Sequence, residues 1–325
     1  MTIDTTKSVL VAAVQMEGRV GDIDYNLQQV EHLATEAFES GARIVALPEF
    51  FTTPVVFDER LLQCSLPREN KATGLLQTLA GKYSGYIGGS LLLRRDSDIY
   101  NTYIFMQPDG TYATHDKDIP TMWENAFYVG GNDDGILSTD LGSAGAAVCW
   151  ELIRERTVRR LKGKIDFIIA GSNWWTVPDW KYPRFLFDRM HSRNCDYAKS
   201  APSVFAKSLG VPVIHGAHAG EFDGRLLLFP GVNKSLPFHS CMMGETQIVD
   251  NRGTILARRS WQEGKGVILA KITLQRTRPT VELNDEYWIP DLTLPFRFFW
   301  HQQRLCSQWY YRNAKKNNRL NVSGA

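Results

Sequence analysis

Two spacings of apolar residues divide the chain into predicted strands and helices. The run SVLVAAVQM at 8–16 is almost continuously apolar and has the length of a buried strand. In 23–42 the apolar residues recur at the intervals of one helix face and stop at a glycine; they are Leu27, Val30, Leu33 and Phe38, before Gly41. The same patterns predict strands at 43–50, 86–95, 99–107, 111–117, 143–150, 165–175, 211–218 and 264–274, and helices at 69–85, 151–163 and 182–209.

Turn signals between the predicted strands indicate a sheet that is not purely parallel. PDG at 108–110 separates two strands, and NRG at 251–253 is the turn of a predicted hairpin at 246–259. Helices alternate with these hairpins, which favours an α/β fold with two mixed sheets and helices on their outer faces.

The last fifty residues follow neither pattern. Segment 276–325 is aromatic and interrupted by prolines, and its end, from 315, is polar enough to predict disorder. An aromatic segment of this kind needs a surface to pack on, which is either another subunit or its own chain. We therefore divide the chain into a domain at 1–275 and a C-terminal extension at 276–325 that we expect to contact a second subunit.

Composition excludes several function classes. Of 325 residues 43% are hydrophobic and 22% charged, and the net charge is +2 with no basic stripe of the kind that binds nucleic acid. The longest apolar runs fall far short of the ~20 residues of a membrane span. The N-terminus has no secretory signal pattern, so we expect a cytoplasmic protein with neither membrane nor nucleic-acid partners.

Five cysteines are scattered along the chain. Their number is odd and none has C-x-x-C spacing, so we expect neither a disulfide framework nor a metal site. In a reducing compartment most of them would be inert buried thiols, and one can be reactive. They are Cys64, Cys149, Cys195, Cys241 and Cys306.

Three polar residues stand at the ends of predicted strands: Glu49 ends RIVALPE, Lys117 ends TYATHDK and Cys149 ends SAGAAVC. Catalytic groups favour such positions because the sheet fixes the backbone while the side chain reaches a cleft. Taken singly, each is more often a rim acid, a surface lysine or a core cysteine.

Together the three residues form a chemical set. A thiol with an ordinary pKa of about 8.5 is mostly protonated at neutral pH and needs a base. Glu49 can be that base if burial raises its pKa from about 4.3 toward neutrality. Lys117 would stabilise the negative charge that develops when a thiolate attacks a C=O or C≡N bond. Backbone N–H groups of the predicted helix after Cys149 would favour the thiolate.

The order of Glu, Lys and Cys, in ALPEFF, HDKDIPTMWEN and AAVCWE, resembles the carbon–nitrogen hydrolase (nitrilase) superfamily, and similarity extends from VAAVQM at 11–16 to IVDNRGTILA at 248–257. The resemblance implies a four-layer α–β–β–α sandwich, a homodimer or higher oligomer, and a reaction without cofactor or metal. It implies that Glu49 is general base and acid, Lys117 the oxyanion stabiliser and Cys149 the nucleophile. Glu124 matches the family's second glutamate, which positions the substrate.

The motifs point to two different substrate branches of this superfamily. CWE and the K-x-x-P-T-x-x-E spacing of KDIPTMWE resemble true nitrilases, whereas LPEFFTTP and the chain length resemble amidases and carbamoylases. His215 and His218 stand where amidase relatives have Asn-x-x-Gly, either as core histidines or as substrate contacts. We expect a thiol hydrolase of a small amide or carbamoyl compound, because amide cleavage is the commoner chemistry of the superfamily. A nitrilase is the alternative, and an acyltransferase or a non-catalytic scaffold represents another class.

Aromatic residues crowd the catalytic motifs. Such walls would favour an apolar or aromatic substrate, although core packing explains them equally well. Asn173, at another strand end, is expected to face the same site. The predicted substrate contacts are Trp123, Tyr128, Trp150, Asn173 and Trp174.

Overall fold

A computed structural model describes residues 8–178, 184–232, 234–283 and 285–320. The strands are β1 (Ser8–Met16), β2 (Ile44–Ala46), β3 (Tyr86–Arg95), β4 (Asp98–Met106), β5 (Tyr112–Asp116), β6 (Ile136–Thr139), β7 (Gly142–Val148), β8 (Phe167–Ser172), β9 (Val213–Leu227), β10 (Ser235–Val249), β11 (Ile255–Ser260) and β12 (Gly266–Thr273). The α-helices are α1 (Ile23–Glu39), α2 (Lys71–Tyr83), α3 (Glu155–Leu161), α4 (Arg184–Leu209) and α5 (Leu294–Lys316). Residues 1–7, in which we expect no secretory signal, lie outside these ranges. The first two residues of the predicted helix at 182–209 also lie outside them.

The strands form a mixed arrangement, which confirms the predicted α/β class. Their order is β5-β4-β3-β2-β1-β9-β8-β7-β6, with β12 beside β1 and β10 and β11 beyond β9. Pairing is parallel from β1 through β2 to β3 and from β7 through β8 to β9, and antiparallel in the hairpins.

The strands do not form two separate sheets. One half contains β1–β5 and β12, the other half contains β6–β11, and backbone hydrogen bonds join the two halves where β1 meets β9. β12 occupies one edge of β1, and β2 pairs with the other edge only as far as Ala13. Past the end of β2, Gln15 and Met16 on that free edge pair with Ala217 and His218 of β9. The short β2 therefore leaves an edge of β1 that β9 completes.

The two halves pack face to face. Phe105 of β4 and Phe167 of β8 meet with ring centroids 6.3 Å apart. Gly171 of β8 lies so close to the other half that a Cβ there would come within 2.5 Å of the Glu49 nitrogen. Successive residues of β1 belong to different core clusters, so its second face packs against α1 and α2. On the other half, α4 packs on β9 and β10, which agrees with helices outside and strands inside.

The C-terminal extension contains α5 and packs on its own chain. Tyr310 lies edge to face on Phe57 with centroids 5.0 Å apart, and Tyr311 Oη accepts a hydrogen bond from the backbone N–H of Ile99. The polar end predicted to be disordered is helical to Lys316, and Leu320 is buried; 321–325 lie outside the described residues. The subunit-contact role stays a prediction. No helix among the described residues is long and apolar enough to span a membrane.

Candidate active site

The residues that follow the ends of three strands meet inside the molecule. Glu49 lies three residues after β2, Lys117 follows β5 and Cys149 follows β7, and all three side chains are buried. Lys117 Nζ donates to Glu49 Oε1 at 2.8 Å and to Glu124 Oε2 at 2.7 Å. The structure thus brings together the predicted base, the predicted oxyanion stabiliser and the second glutamate.

Glu124 is held by its own short helix. The segment between β5 and β6 contains a 3-10 helix, Met122–Ala126, and Glu124 Oε2 accepts from the Thr121 backbone N–H at 2.8 Å. Tyr128, one of the predicted substrate contacts, donates its hydroxyl to the same oxygen. The lysine, the backbone and the phenol therefore fix this carboxylate from three directions.

Cys149 occupies a turn with unusual backbone geometry. Its φ is +54°, in the left-handed region that a non-glycine residue adopts rarely and mainly where surrounding bonds hold it. The helix predicted to start at 151 is instead a 3-10 turn, Cys149–Ile153, followed by α3. Burial raises the pKa of the thiol well above its usual value, Glu49 raises it further, and Lys117 and the Asn173 backbone N–H oppose the shift. The resting group is therefore a thiol.

The carboxyl group of Glu49 is poised to exchange a proton at neutral pH. Burial raises its pKa to about 7, against the lowering effect of Lys117. Its Oε2 accepts from the Asn173 backbone N–H at 2.9 Å, which also favours the ionised form.

Lys117 remains an ammonium ion. Burial by itself lowers its pKa, but Glu124, Glu49 and Cys149 outweigh burial and raise it. A buried cation between two carboxylates is the arrangement that can stabilise new negative charge without reorganising solvent.

Asn101 completes the site and was missed by sequence reasoning. Its Nδ2 donates to Glu49 Oε1 at 2.8 Å, and its backbone carbonyl oxygen accepts from the Lys117 backbone N–H at 2.9 Å. The only signal was a polar residue in the middle of the apolar run IYNTYIFMQ.

Two groups of tryptophans lie beside these residues. Trp123 stacks on Trp175 with ring centroids 3.8 Å apart. Trp150 packs against Trp174 at 5.8 Å and edge to face against Trp288 at 5.5 Å. All five are buried, and Trp288 comes from the C-terminal extension, where no prediction placed a site residue.

The remaining predicted contacts also have partners within the protein. Trp174 donates its indole N–H to Asn194 Oδ1 at 3.0 Å. Asn173 faces Glu49 through its backbone N–H, while its Nδ2 donates to the Val55 carbonyl at 3.0 Å. The geometry places these residues around the site, and their roles toward substrate stay predictions.

The family model described as carbon-nitrogen hydrolase matches residues 10–282. The chain belongs to the carbon–nitrogen hydrolase family. Among curated proteins it is similar to a nitrilase of Pyrococcus abyssi, with 28% identity over 50% of this chain and 63% of that protein. It is also similar to a bifunctional nitrilase/nitrile hydratase of Nicotiana tabacum, with 29% identity over 45% of this chain and 48% of that protein. A cyanide hydratase of Botryotinia fuckeliana is 25% identical over 88% of this chain and 81% of that protein.

The match spans less than two thirds of the first two of these relatives. Among solved structures, a CN-hydrolase superfamily protein of Xanthomonas campestris has a TM-score of 0.62 with 18% identity over 82% of this chain and 91% of that one. A mutant amidase from Nesterenkonia sp. AN1, with acrylamide added at its active-site cysteine, has a TM-score of 0.62 with 17% identity over 80% and 92%. At these identities the likeness shows the fold.

In this carbon–nitrogen hydrolase the two uncertain histidines have hydrogen-bond partners in the core. His215 Nε2 lies 2.7 Å from Ser172 Oγ, and His218 Nε2 lies 3.3 Å from the Phe50 carbonyl. Burial lowers the pKa of each to about 4, so both are neutral. These contacts fit the core interpretation.

The other four cysteines of this carbon–nitrogen hydrolase are unpaired, and burial raises the pKa of each thiol. Cys149 differs in which charged groups act on it, since its partners are Glu49 and Lys117 of the site, whereas those of Cys64 are Arg60 and Asp58. Within the described ranges, no three His, Cys, Asp or Glu residues are grouped as a metal site.

Proposed function

We propose that this chain is a thiol hydrolase that cleaves a non-peptide carbon–nitrogen bond of a small amide or carbamoyl compound through a Cys149 acyl-enzyme. One observation carries the proposal: Lys117 bridges Glu49 and Glu124 in a buried site, and all three charged groups act electrostatically on the buried Cys149 thiol. The set supplies a nucleophile, a base of pKa about 7 and a fixed cation.

The first half of the reaction forms the acyl-enzyme. Glu49 takes the proton of the Cys149 thiol, and the thiolate attacks the carbonyl carbon. Lys117 and the Trp150 backbone N–H stabilise the resulting oxyanion. Glu49 then gives its proton to the leaving nitrogen, so that ammonia or an amine departs and a thioester remains.

The second half returns the enzyme to its starting state. Glu49 takes a proton from water, the resulting hydroxide attacks the thioester, and the sulfur leaves as a thiolate that recovers the proton. A carboxylic acid is released. A pKa of about 7 suits a group that acts alternately as base and acid.

The charge of the site favours an uncharged reacting group. Glu49 and Glu124 carry two negative charges when ionised, and Lys117 carries one positive charge. A substrate carboxylate next to the reacting carbon would therefore meet a net negative site. Uncharged amides and nitriles avoid this repulsion.

Nitrile hydrolysis is the second candidate. It is supported by the names of the curated relatives, which act on nitriles or cyanide, and by the CWE motif. A nitrile would form a thioimidate on Cys149, which water would convert to the same thioester with loss of ammonia. Acyl transfer would need an amine in place of water, and a scaffold would not need the Lys117 contacts at all.

The test is ammonia and acid release from matched pairs of nitriles and their amides, aliphatic and arylalkyl, with wild type, Cys149→Ala and Cys241→Ala. Reaction of amides alone would support the amide proposal, and reaction of the nitriles, with or without their amides, would support the nitrilase. Both require that Cys149→Ala is inactive while Cys241→Ala is not. Activity that persists in Cys149→Ala would refute the thiol mechanism.

A further inference from the structure

A buried ion cluster lies under the two turns that carry Lys117 and Cys149. Glu151, two residues after the nucleophile, is fully buried. Its Oε2 accepts from the Val148 backbone N–H at 2.8 Å, and its Oε1 accepts from the Asp118 backbone N–H at 3.1 Å. Val148 precedes Cys149 and Asp118 follows Lys117, so one carboxylate ties both turns together.

The surrounding charges keep this carboxylate ionised. His115 Nε2 of β5 lies 3.0 Å from Oε2, and Arg160 of α3 lies 3.6 Å from Oε1. Burial raises the pKa of Glu151, but His115 and Arg160 outweigh burial and hold it well below its usual range. An ionised carboxylate accepts from both N–H groups at once.

Both turns depend on such bonds. Cys149 has its left-handed φ of +54°, and the bond from Val148 closes that turn. The Lys117 backbone N–H donates to Asn101 on one side, and the next N–H along the chain donates to Glu151 on the other. A displacement of about 1 Å between catalytic groups can cost about 100-fold in rate.

We propose that Glu151 is a positioning residue, which sets the distance between the Cys149 thiol and the Lys117 ammonium through two backbone hydrogen bonds and does not touch the substrate. The inference rests on the proposed function, because it takes Cys149 as the nucleophile.

Three variants separate positioning from general stability. Glu151→Gln keeps the shape but turns one acceptor into a donor, so it can accept from only one of the two N–H groups. Glu151→Asp keeps the charge opposite His115 but is one methylene too short to reach both turns. Glu155→Gln is the matched control, since Glu155 is a buried acid four residues further on that pairs with Arg159.

The readout is alkylation of Cys149 by iodoacetamide, resolved by mass spectrometry well below the unfolding temperature of each variant. We expect Glu151→Gln and Glu151→Asp to slow it by about ten-fold or more, and Glu155→Gln to leave it within about two-fold. Cys195 is partly exposed and serves as internal reference, because general loosening would speed its alkylation. Turnover of whichever amide or nitrile reacts should lose kcat by about 10- to 100-fold with little change in KM.

Two results would overturn the proposal in distinguishable ways. If both Glu151 variants alkylate and turn over like Glu155→Gln, the positioning role fails while the proposed function stands. If wild-type activity survives in Cys149→Ala, the proposed function fails and the positioning role falls with it. If Glu151→Gln does not fold, Glu151→Asp decides, and alkylation at the wild-type rate in that variant would refute the role.

Discussion

Asn101 and Lys117 donate hydrogen bonds to the same oxygen of Glu49, each at 2.8 Å. The other oxygen accepts from the Asn173 backbone N–H. All three donors favour the ionised carboxylate, whereas burial favours the protonated form and raises the pKa to about 7. The strength of the base is therefore set by the donors that oppose burial.

Replacing Asn101 should weaken the ionised form of Glu49. In Asn101→Leu the carboxylate loses a donor, so we expect the acidic limb of kcat/KM to move to higher pH and the rate at pH 6 to fall by about ten-fold. Asn26→Leu is the matched control, because Asn26 is buried and its Nδ2 bonds only to the carbonyls of Arg19 and Thr52. An equal shift of the pH profile in both variants would contradict the explanation.

The wild-type pH profile should follow the Glu49 carboxyl group. The base must be ionised, so we expect kcat/KM to fall about ten-fold per pH unit below pH 7 and to level off above it. The profile belongs to the whole set of interacting groups, and alkylation of Cys149 should show the same limb. A flat profile between pH 5 and pH 7 would remove Glu49 as the base.

The raised pKa of Glu49 also predicts that stability falls with rising pH, whereas activity rises. The pKa is raised from 4.5 to about 7, so between these values the native state holds a proton that the unfolded state has released. This contribution is fully present below pH 4.5 and is lost as the pH rises to about 7, so the free energy of unfolding should fall across the window. Glu49→Gln does not titrate here, and urea unfolding of both proteins at several pH values isolates the effect. If the difference in the free energy of unfolding between wild type and Glu49→Gln stays constant with pH, this prediction is contradicted.

The strand-end residues could be predicted because the positions follow from the sheet. Where a strand ends at a polar residue, the backbone is fixed and the side chain is free to point into the interior between the halves. Glu49, Lys117 and Cys149 are of this kind, and the apolar spacing of α1 was enough to place Ile23–Glu39 within the predicted 23–42.

Other parts of the site had a weak local signal or a misleading one. Asn101 lies in the middle of an apolar strand, and its partner Glu49 is 52 residues away. Glu151 was assigned to a helix by periodicity, but its side chain bonds back to Val148 and produces a 3-10 turn. The bonds from Asn101 to Glu49 and from Asp118 to Glu151 join residues far apart in the chain, and helix or strand propensity carries no information on such tertiary contacts.

Of two larger elements, one was predicted incompletely and the other was missed, both for reasons of composition. The β9–β10 hairpin was predicted only in part, because glycines and charged residues interrupt the apolar pattern of its outer half. In α5, Pro295 stands at the helix start, where its missing N–H costs nothing, whereas the sequence pattern treats each proline of this segment as an interruption.

Lys117 should be the most costly residue to remove. Lys117→Met leaves two buried carboxylates without their cation, and breaking a buried pair costs about 3–5 kcal/mol. We expect loss of activity and a larger loss of stability at pH 8 than at pH 5, where protonation removes the unpaired charge. Cys149→Ala should lose activity with little change in stability. Equal destabilisation of Lys117→Met at both pH values would show that lost packing dominates.

Trp288 tests whether the C-terminal extension belongs to the catalytic unit. It is buried between Trp150 and Trp300, with ring centroids 5.5 and 5.7 Å away, and the Ile289 backbone N–H donates to the Ile153 carbonyl at 2.9 Å. We expect Trp288→Ala to lower the free energy of unfolding by about 3–5 kcal/mol in a single transition and to lower kcat, because Trp150 follows the nucleophile.

Tyr287 provides the matched control, since it is the neighbouring aromatic residue but is 46% exposed. Tyr287→Ala should cost under about 1 kcal/mol. Urea unfolding followed by tryptophan fluorescence and by loss of activity should give coincident curves for Trp288→Ala if α5 and the site unfold together. Separate transitions, with activity outlasting the first, would instead make 276–325 an appendage of a catalytic domain that ends near 275.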